Sequence, residues 1–181
     1  VVLNRPRVGN RVNTAMVQEL VEAGRIIDQE DVIRVVVLKG AGNTFSSGWE
    51  RLRIRSKDEI NSYQAAEVIG RIRKPVVAAI NGDAIGQGLE LALAADIRLA
   101  VATARFGMPQ VQHGVLPWDG ATQRLPRLIG EAYALELLLT GAIIDASNAF
   151  RMGLIHNVVR RDELQKSLGH LVNAIAVSGP L

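Results

Sequence analysis

The chain has 181 residues, 48% hydrophobic and 22% charged, and its 21 lysines and arginines against 18 acids leave a net charge of +3. That length suits one domain with a sizeable core, and the balance of apolar to charged residues argues against disorder. With no cysteine, disulfides, thiolate nucleophiles and cysteine metal sites are excluded, and no apolar run approaches the roughly 20 residues that cross a bilayer.

Val1 to Leu3 read as a strand. Apolar residues then recur at helical spacing at Val17, Leu20, Val21, Ile26 and Ile27, with Asn13 or Thr14 as N-cap. Val32 to Leu38 is a β-branched run that predicts a strand, closed by Gly40-Ala41-Gly42-Asn43. Arg51-Leu52-Arg53-Ile54-Arg55-Ser56-Lys57 is the densest basic tract. Its alternation predicts a short extended edge, and without interleaved aromatics it gives little support to nucleic-acid binding. A helix is predicted from about Lys57 to Arg71, stopped by Pro75 at the start of the next strand.

Pro75 to Pro126 is the stretch that carries chemistry. A buried strand, Val76 to Ile80, turns at Asn81-Gly82 and passes through Gly86-Gln87-Gly88 into a helix ending at Ala95. That helix holds one carboxylate, Glu90, among Leu89, Leu91, Ala92 and Leu93. A charge buried there without a partner is costly. Glycines just before a helix let the backbone approach a ligand and leave free N–H groups aimed at it. An acid beside such donors is what enolate or oxyanion chemistry needs. A dinucleotide reading of Gly86-Gln87-Gly88 fails, because Leu91 stands where the third glycine belongs and no suitable acid follows.

Beyond it come a strand from Ile97 to Val101 and two helices, Gly120 to Ile129 and Glu131 to Leu139, broken at Gly130. A short helix capped by Asp145 ends at Met152-Gly153, and a strand from Ile155 to Val159 precedes a terminal helix from Asp162 to Ala176. Alternating strands and helices predict an α/β fold with a parallel sheet covered by helices. His113 reads as a packed or surface residue. His156 and His170 show no partners, and no metal-ligand spacing occurs.

The motifs Phe45-Ser46-Ser47-Gly48-Trp49-Glu50, Ala78-Ala79-Ile80-Asn81-Gly82 and Gly86-Gln87-Gly88-Leu89-Glu90-Leu91-Ala92 are followed by Ala94-Ala95-Asp96-Ile97-Arg98-Leu99-Ala100 and Phe106-Gly107-Met108-Pro109. Gly114-Val115-Leu116-Pro117, Thr122-Gln123-Arg124-Leu125-Pro126 and Leu139-Thr140-Gly141 come next, and Ala149 to Gly153-Leu154 and Val158-Val159 complete the series. Their order and spacing resemble the crotonase superfamily, the enoyl-CoA hydratase/isomerase enzymes, over nearly all of the chain.

The resemblance implies a ββα spiral forming a single core domain over residues 1–181, lacking the start of the first strand and the C-terminal helical region. It implies an acyl-CoA-processing enzyme in which the backbone N–H groups of Ser47 and Gln87 form an oxyanion hole for a thioester enolate. Glu90 matches the first catalytic glutamate, which holds and activates water. The second glutamate falls at Gln110, and an amide cannot carry a proton to or from carbon. Asp119, nearby, stands for a substitute catalytic or substrate-orienting group, or else for the N-cap of the helix that starts at Gly120. Gly48 and Gly86, beside the oxyanion residues, and Trp49 and Trp118, bulky where the family has small residues, are the substrate-binding candidates. Asp96 is matched to a structural residue of the family, and Asn10 to an asparagine near coenzyme contacts.

Coenzyme A would enter as part of the substrate and accounts for part of the positive charge; no other cofactor and no metal is implied. A homotrimer or hexamer in the cytoplasm, with no membrane or nucleic-acid partner, completes the expectation. Two other readings stand beside it. One is a C–C bond hydrolase of β-diketone type that uses Asp119. The other is a non-catalytic acyl-CoA- or RNA-binding relative.

Overall fold

The computed structural model of the chain describes residues 1–50 and 62–178. The basic tract from Arg51 to Lys57 and the first part of the helix expected from Lys57 therefore lie outside the described residues.

The chain begins with β1 (Val2–Leu3), a short 3-10 turn at Pro6–Val8 and α1 (Thr14–Gln29). The Asn13 side chain accepts the Met16 N–H at 3.0 Å, capping α1. Met16, Val17, Leu20 and Ile27 are buried along one stripe of that helix, while Val21 and Ile26 are exposed. β2 (Val36–Gly40) follows, then α2 (Ala65–Gly70), β3 (Val76–Ile80), β4 (Ala84–Ile85) and α3 (Gln87–Ala94). Next come β5 (Ile97–Val101), β6 (Arg105–Gly107), a 3-10 turn at Pro109–His113, α4 (Ala121–Ile129) and α5 (Glu131–Thr140). β7 (Ile143–Asp145), α6 (Ala146–Arg151), β8 (Asn157–Val159) and α7 (Leu164–Val177) complete it.

The main sheet has the order β1-β2-β3-β5-β8, and every pair in it is parallel. β3 reads Val-Val-Ala-Ala-Ile and is buried at every position, as a central parallel strand covered on both faces must be. The Asp96 carboxylate accepts the Val76 N–H at 2.7 Å, pinning the start of β3 beside the start of β5. Arg98 opposite Ala78 is itself buried, and its guanidinium donates to the carbonyls of Leu154 and Ala95. A second, small sheet has the order β4-β6-β7, with β6 antiparallel to β7. α1, α2, α3, α4 and α5 pack in succession, and α7 lies on β5 and β3. No helix among the described residues is long and apolar enough to cross a membrane.

Several expected bounds shift. Among the described residues, the helix expected from Lys57 to Arg71 is α2 at Ala65–Gly70, and the strand expected from Ile155 begins at Asn157. The strand expected from Val32 begins at Val36, because its parallel partner begins only after Pro75 and the register pairs Val36 with Val76; Val32 is left 85% exposed. The terminal helix enters through a 3-10 turn at Arg161–Glu163 before α7. Asp145 caps α6 as expected, accepting the Asn148 N–H at 2.8 Å.

Candidate active site

Two backbone segments meet at the start of α3. The first, residues 45–50, runs between the small sheet and the N-terminal loop, bridging Ser46 to Ala84 and Trp49 to Val12. Asn10 fixes the loop side. It adopts a left-handed φ of 53° and is fully buried, and its amide donates to the carbonyls of Ala41 and Thr44 at 2.9 and 2.8 Å. Asn10 thus acts as a tie within the fold. The second segment is the Gly86 turn into α3. Gly86 takes φ 57° and ψ −125°, a conformation closed to residues with a Cβ. Gly88 lets the two segments touch, since a Cβ there would lie 2.1 Å from the Ser46 carbonyl oxygen.

The geometry corrects one expected donor. The Ser47 N–H donates to the Gly9 carbonyl at 2.9 Å and is unavailable to a ligand. The Glu50 N–H donates on that same flank, to Val12. Regular alternation would send Trp49 toward the Ser47 side as well. Gly48, with φ 107°, breaks the alternation. As a result the Trp49 N–H has no acceptor among the described residues, and neither has that of Gln87, the first residue of α3. A Cβ on Gly48 would stand 3.9 Å from the Gln87 nitrogen, so the two turns are neighbours. The signal for this in the sequence was Gly48 itself.

Glu90 sits one helical turn inside α3 and is 1% exposed. Its Oε1 accepts the N–H groups of Asp119 and Ala121 at 2.9 and 3.1 Å, which leaves Oε2 without a donor among the described residues. Burial, and then the Asp119 charge, push the Glu90 carboxyl up to about 8, against the opposing pull of the two N–H groups and of Arg124. A carboxyl tuned to that range can hold or release a proton near neutrality.

Asp119 lies beside Glu90 but is spoken for. Its Oδ2 accepts the Ala66 N–H at 2.7 Å and the Gln87 amide at 3.0 Å, and its Oδ1 accepts the Glu67 N–H at 3.0 Å. It therefore caps α2 and not, as expected, the helix that follows it; Gly120 makes the N-cap of α4 with no side-chain bond. With those lone pairs committed to protein donors, it is poorly placed to act on a substrate. Burial raises its own proton affinity and the three donors lower it.

Gln110 is buried against the Gly86 turn, its amide within 3.6 Å of where a Gly86 Cβ would stand. Trp49 and Trp118 meet edge to face with ring centroids 4.1 Å apart. The side-chain atoms Gln87 Oε1, Gln110 Oε1 and Trp118 Nε1 are buried without a partner among the described residues. Buried polar groups left unsatisfied are uncommon and mark places where a further group completes the bonding. Tyr63, whose carbonyl accepts the Gln87 amide, and Arg124, which donates to the Asp119 carbonyl at 2.8 Å, also belong to this cluster. Tyr63 reaches it from before α2 and carries no local signal, whereas Arg124 follows Asp119 by five residues, within the Thr122–Pro126 motif.

The remaining candidates lie elsewhere. His113 and His170 are exposed, as surface residues. His156, expected to lack a partner, accepts the Arg98 N–H at 3.2 Å through Nδ1. A cavity of about 420 Å3 between β1 and the first turns of α1, lined by Leu3, Met16 and Leu20, includes none of the residues around Glu90.

Known proteins share the sequence and the fold over most of the chain. The sequence profile of the family described as enoyl-CoA hydratase/isomerase matches residues 1–181. A probable enoyl-CoA hydratase of Rhizobium meliloti (strain 1021) is 37% identical over 175 residues, covering 93% of this chain and 68% of its own length. A crotonyl-CoA hydratase of Syntrophomonas wolfei is 34% identical over 190 residues, covering 99% of this chain and 72% of its own length. The crystal structure of an enoyl-CoA hydratase from Bacillus anthracis superposes with a TM-score of 0.93 at 36% identity, covering 99% of this chain and 72% of that one.

Proposed function

The chain belongs to the enoyl-CoA hydratase/isomerase family, and from that premise we propose that it works on enoyl thioesters with one proton carrier, Glu90. The thioester oxygen would lie between the N–H groups of Trp49 and Gln87, which have no acceptor among the described residues. The observation that carries this reading is the pairing of those two free donors with a buried carboxyl beside them. Each such donor is worth roughly 2.7–4 kcal/mol to an oxyanion.

In hydration, ionised Glu90 takes a proton from water as the water oxygen bonds to the β-carbon. The π electrons move to the thioester oxygen as an enolate. Glu90 then returns the proton to the α-carbon and the enolate collapses. The carboxyl starts and ends ionised, so no second acid is required. Gln110 favours a second reading, double-bond isomerisation, in which Glu90 takes a proton from one carbon and returns it two carbons away. An amide in place of the second carboxyl leaves that shuttle intact. The C–C hydrolase reading needs Asp119 to activate water, and its committed hydrogen bonds count against that.

We further infer that coenzyme A enters only as part of the substrate and that the enzyme is cytoplasmic, as the absence of cysteine suggests. Association of copies is supported by exposed apolar residues on and after α5 and on α6, Leu135, Leu139, Ile143 and Phe150. Turnover of crotonyl-CoA and of but-3-enoyl-CoA by the wild type and by Glu90→Gln tests the proposal. It expects at least one thioester to turn over, and a fall of about 10²–10⁴-fold in the variant. Unchanged turnover in Glu90→Gln, or no turnover of either thioester, would contradict it.

A further inference from the structure

We propose that Asp119 is a positioning residue: without touching substrate, its buried carboxylate locks the N-terminus of α2 to the Gln87 side chain while its own N–H fixes Glu90 Oε1, joining the oxyanion turn and the base into one unit. This inference rests on Glu90 being the proton carrier proposed above.

The bonds that converge on this residue come from separate parts of the chain. Ala66 and Glu67 are the second and third residues of α2, more than fifty positions before Asp119, and they donate to its two carboxylate oxygens. Gln87 presents its backbone N–H at the start of α3 while its side chain is held by Asp119 Oδ2 and by the Tyr63 carbonyl. Glu90, one turn further on, receives the Asp119 N–H. Moving Asp119 would therefore move both the donor that stabilises the enolate and the group that handles the proton. A misplacement of about 1 Å is enough to cost about 10²-fold in rate.

The same placement sets a charge beside Glu90. Burial raises the proton affinity of Asp119, and three N–H donors and Arg124 oppose that rise. Whichever carboxyl of a close pair ionises second feels the other's charge, and here that is Glu90. Among the described residues, the other charges near Glu90 are few. Arg124 from α4 opposes Asp119. Glu67 on α2 is turned outward, paired with Arg71 at 3.0 Å and Arg124 at 3.9 Å. Gln110 on the facing loop is uncharged. Asp119 thus makes Glu90 a stronger base as well as holding it in place.

The test reads the carboxyl directly. Titrating the full chain carrying 13C-labelled glutamate carboxyls, with the Glu90 signal assigned by its loss in Glu90→Gln, gives its midpoint in the wild type, in Asp119→Asn and in Asp119→Ser. Serine is neutral and still caps a helix. The midpoint should lie near 8 in the wild type and fall by about one unit in whichever neutral variant folds. In kinetics, the pH midpoint of kcat/KM should move the same way. A purely structural role would lower thermal stability and leave both midpoints in place, overturning the inference. So would a wild-type Glu90 midpoint in the ordinary carboxylate range, which can be read even if neither variant folds. Because the titration needs no turnover, a failure of the substrate assay would count against the proposed function and leave the titration to decide the role of Asp119.

Discussion

Glu90 is a carboxyl almost sealed from water, held by two backbone N–H groups and pressed by a neighbouring negative charge. Its proton is consequently bound more tightly in the folded chain than in the unfolded one. Between the ordinary carboxylate value of 4.5 and about 8 the folded state carries the extra proton. Its stabilising contribution is complete below that range and is lost as pH rises through it, on the order of 5 kcal/mol at most. Glu90→Gln removes the ionisation. Its melting temperature relative to wild type should therefore rise between pH 5 and pH 9, by thermal denaturation followed by circular dichroism. A constant difference across that range would show that Glu90 does not titrate as described. Gly88 offers a second test at this scale. A methyl group at Gly88 would press on the Ser46 carbonyl at 2.1 Å, so Gly88→Ala must part the two oxyanion segments. Its kcat/KM should fall by about 10²-fold, more steeply than its stability.

At the scale of elements, much of the architecture was legible because caps and burial are local signals. Asn13 marks the start of α1, Asp145 that of α6, and the run from Val76 to Ile80 could only be a covered strand. Asn13→Ala should cost about 1 kcal/mol, seen as a lower denaturation midpoint, with kcat unchanged because α1 contributes no group to the site. The small sheet was not legible. Its strands are two or three residues long, too short for alternation to show. Nor was the partner of Asp119, since a side chain capping a helix more than fifty residues earlier leaves no trace in neighbouring sequence. The site was half legible. Glu90 and Gln87 stood out by an acid in an apolar helix and a glycine turn. The first donor was misplaced at Ser47, because one left-handed glycine at position 48 reverses which side the next N–H faces.

For the whole molecule, the parallel sheet and the succession of helices from α1 to α5 hold a buried carboxyl, the proposed proton carrier, beside two backbone donors that have no acceptor among the described residues. A site with two carboxyls needs one ionised and one protonated, and gives a bell-shaped pH profile. With Gln110 as an amide, a single carboxyl that begins and ends ionised gives only a rising limb. The pH dependence of kcat/KM for crotonyl-CoA hydration is therefore the most direct test. The rate should climb about tenfold per pH unit, level off near pH 8 and collapse in Glu90→Gln at every pH. A bell with a falling limb at neutral pH, or a profile that Glu90→Gln leaves untouched, would contradict this.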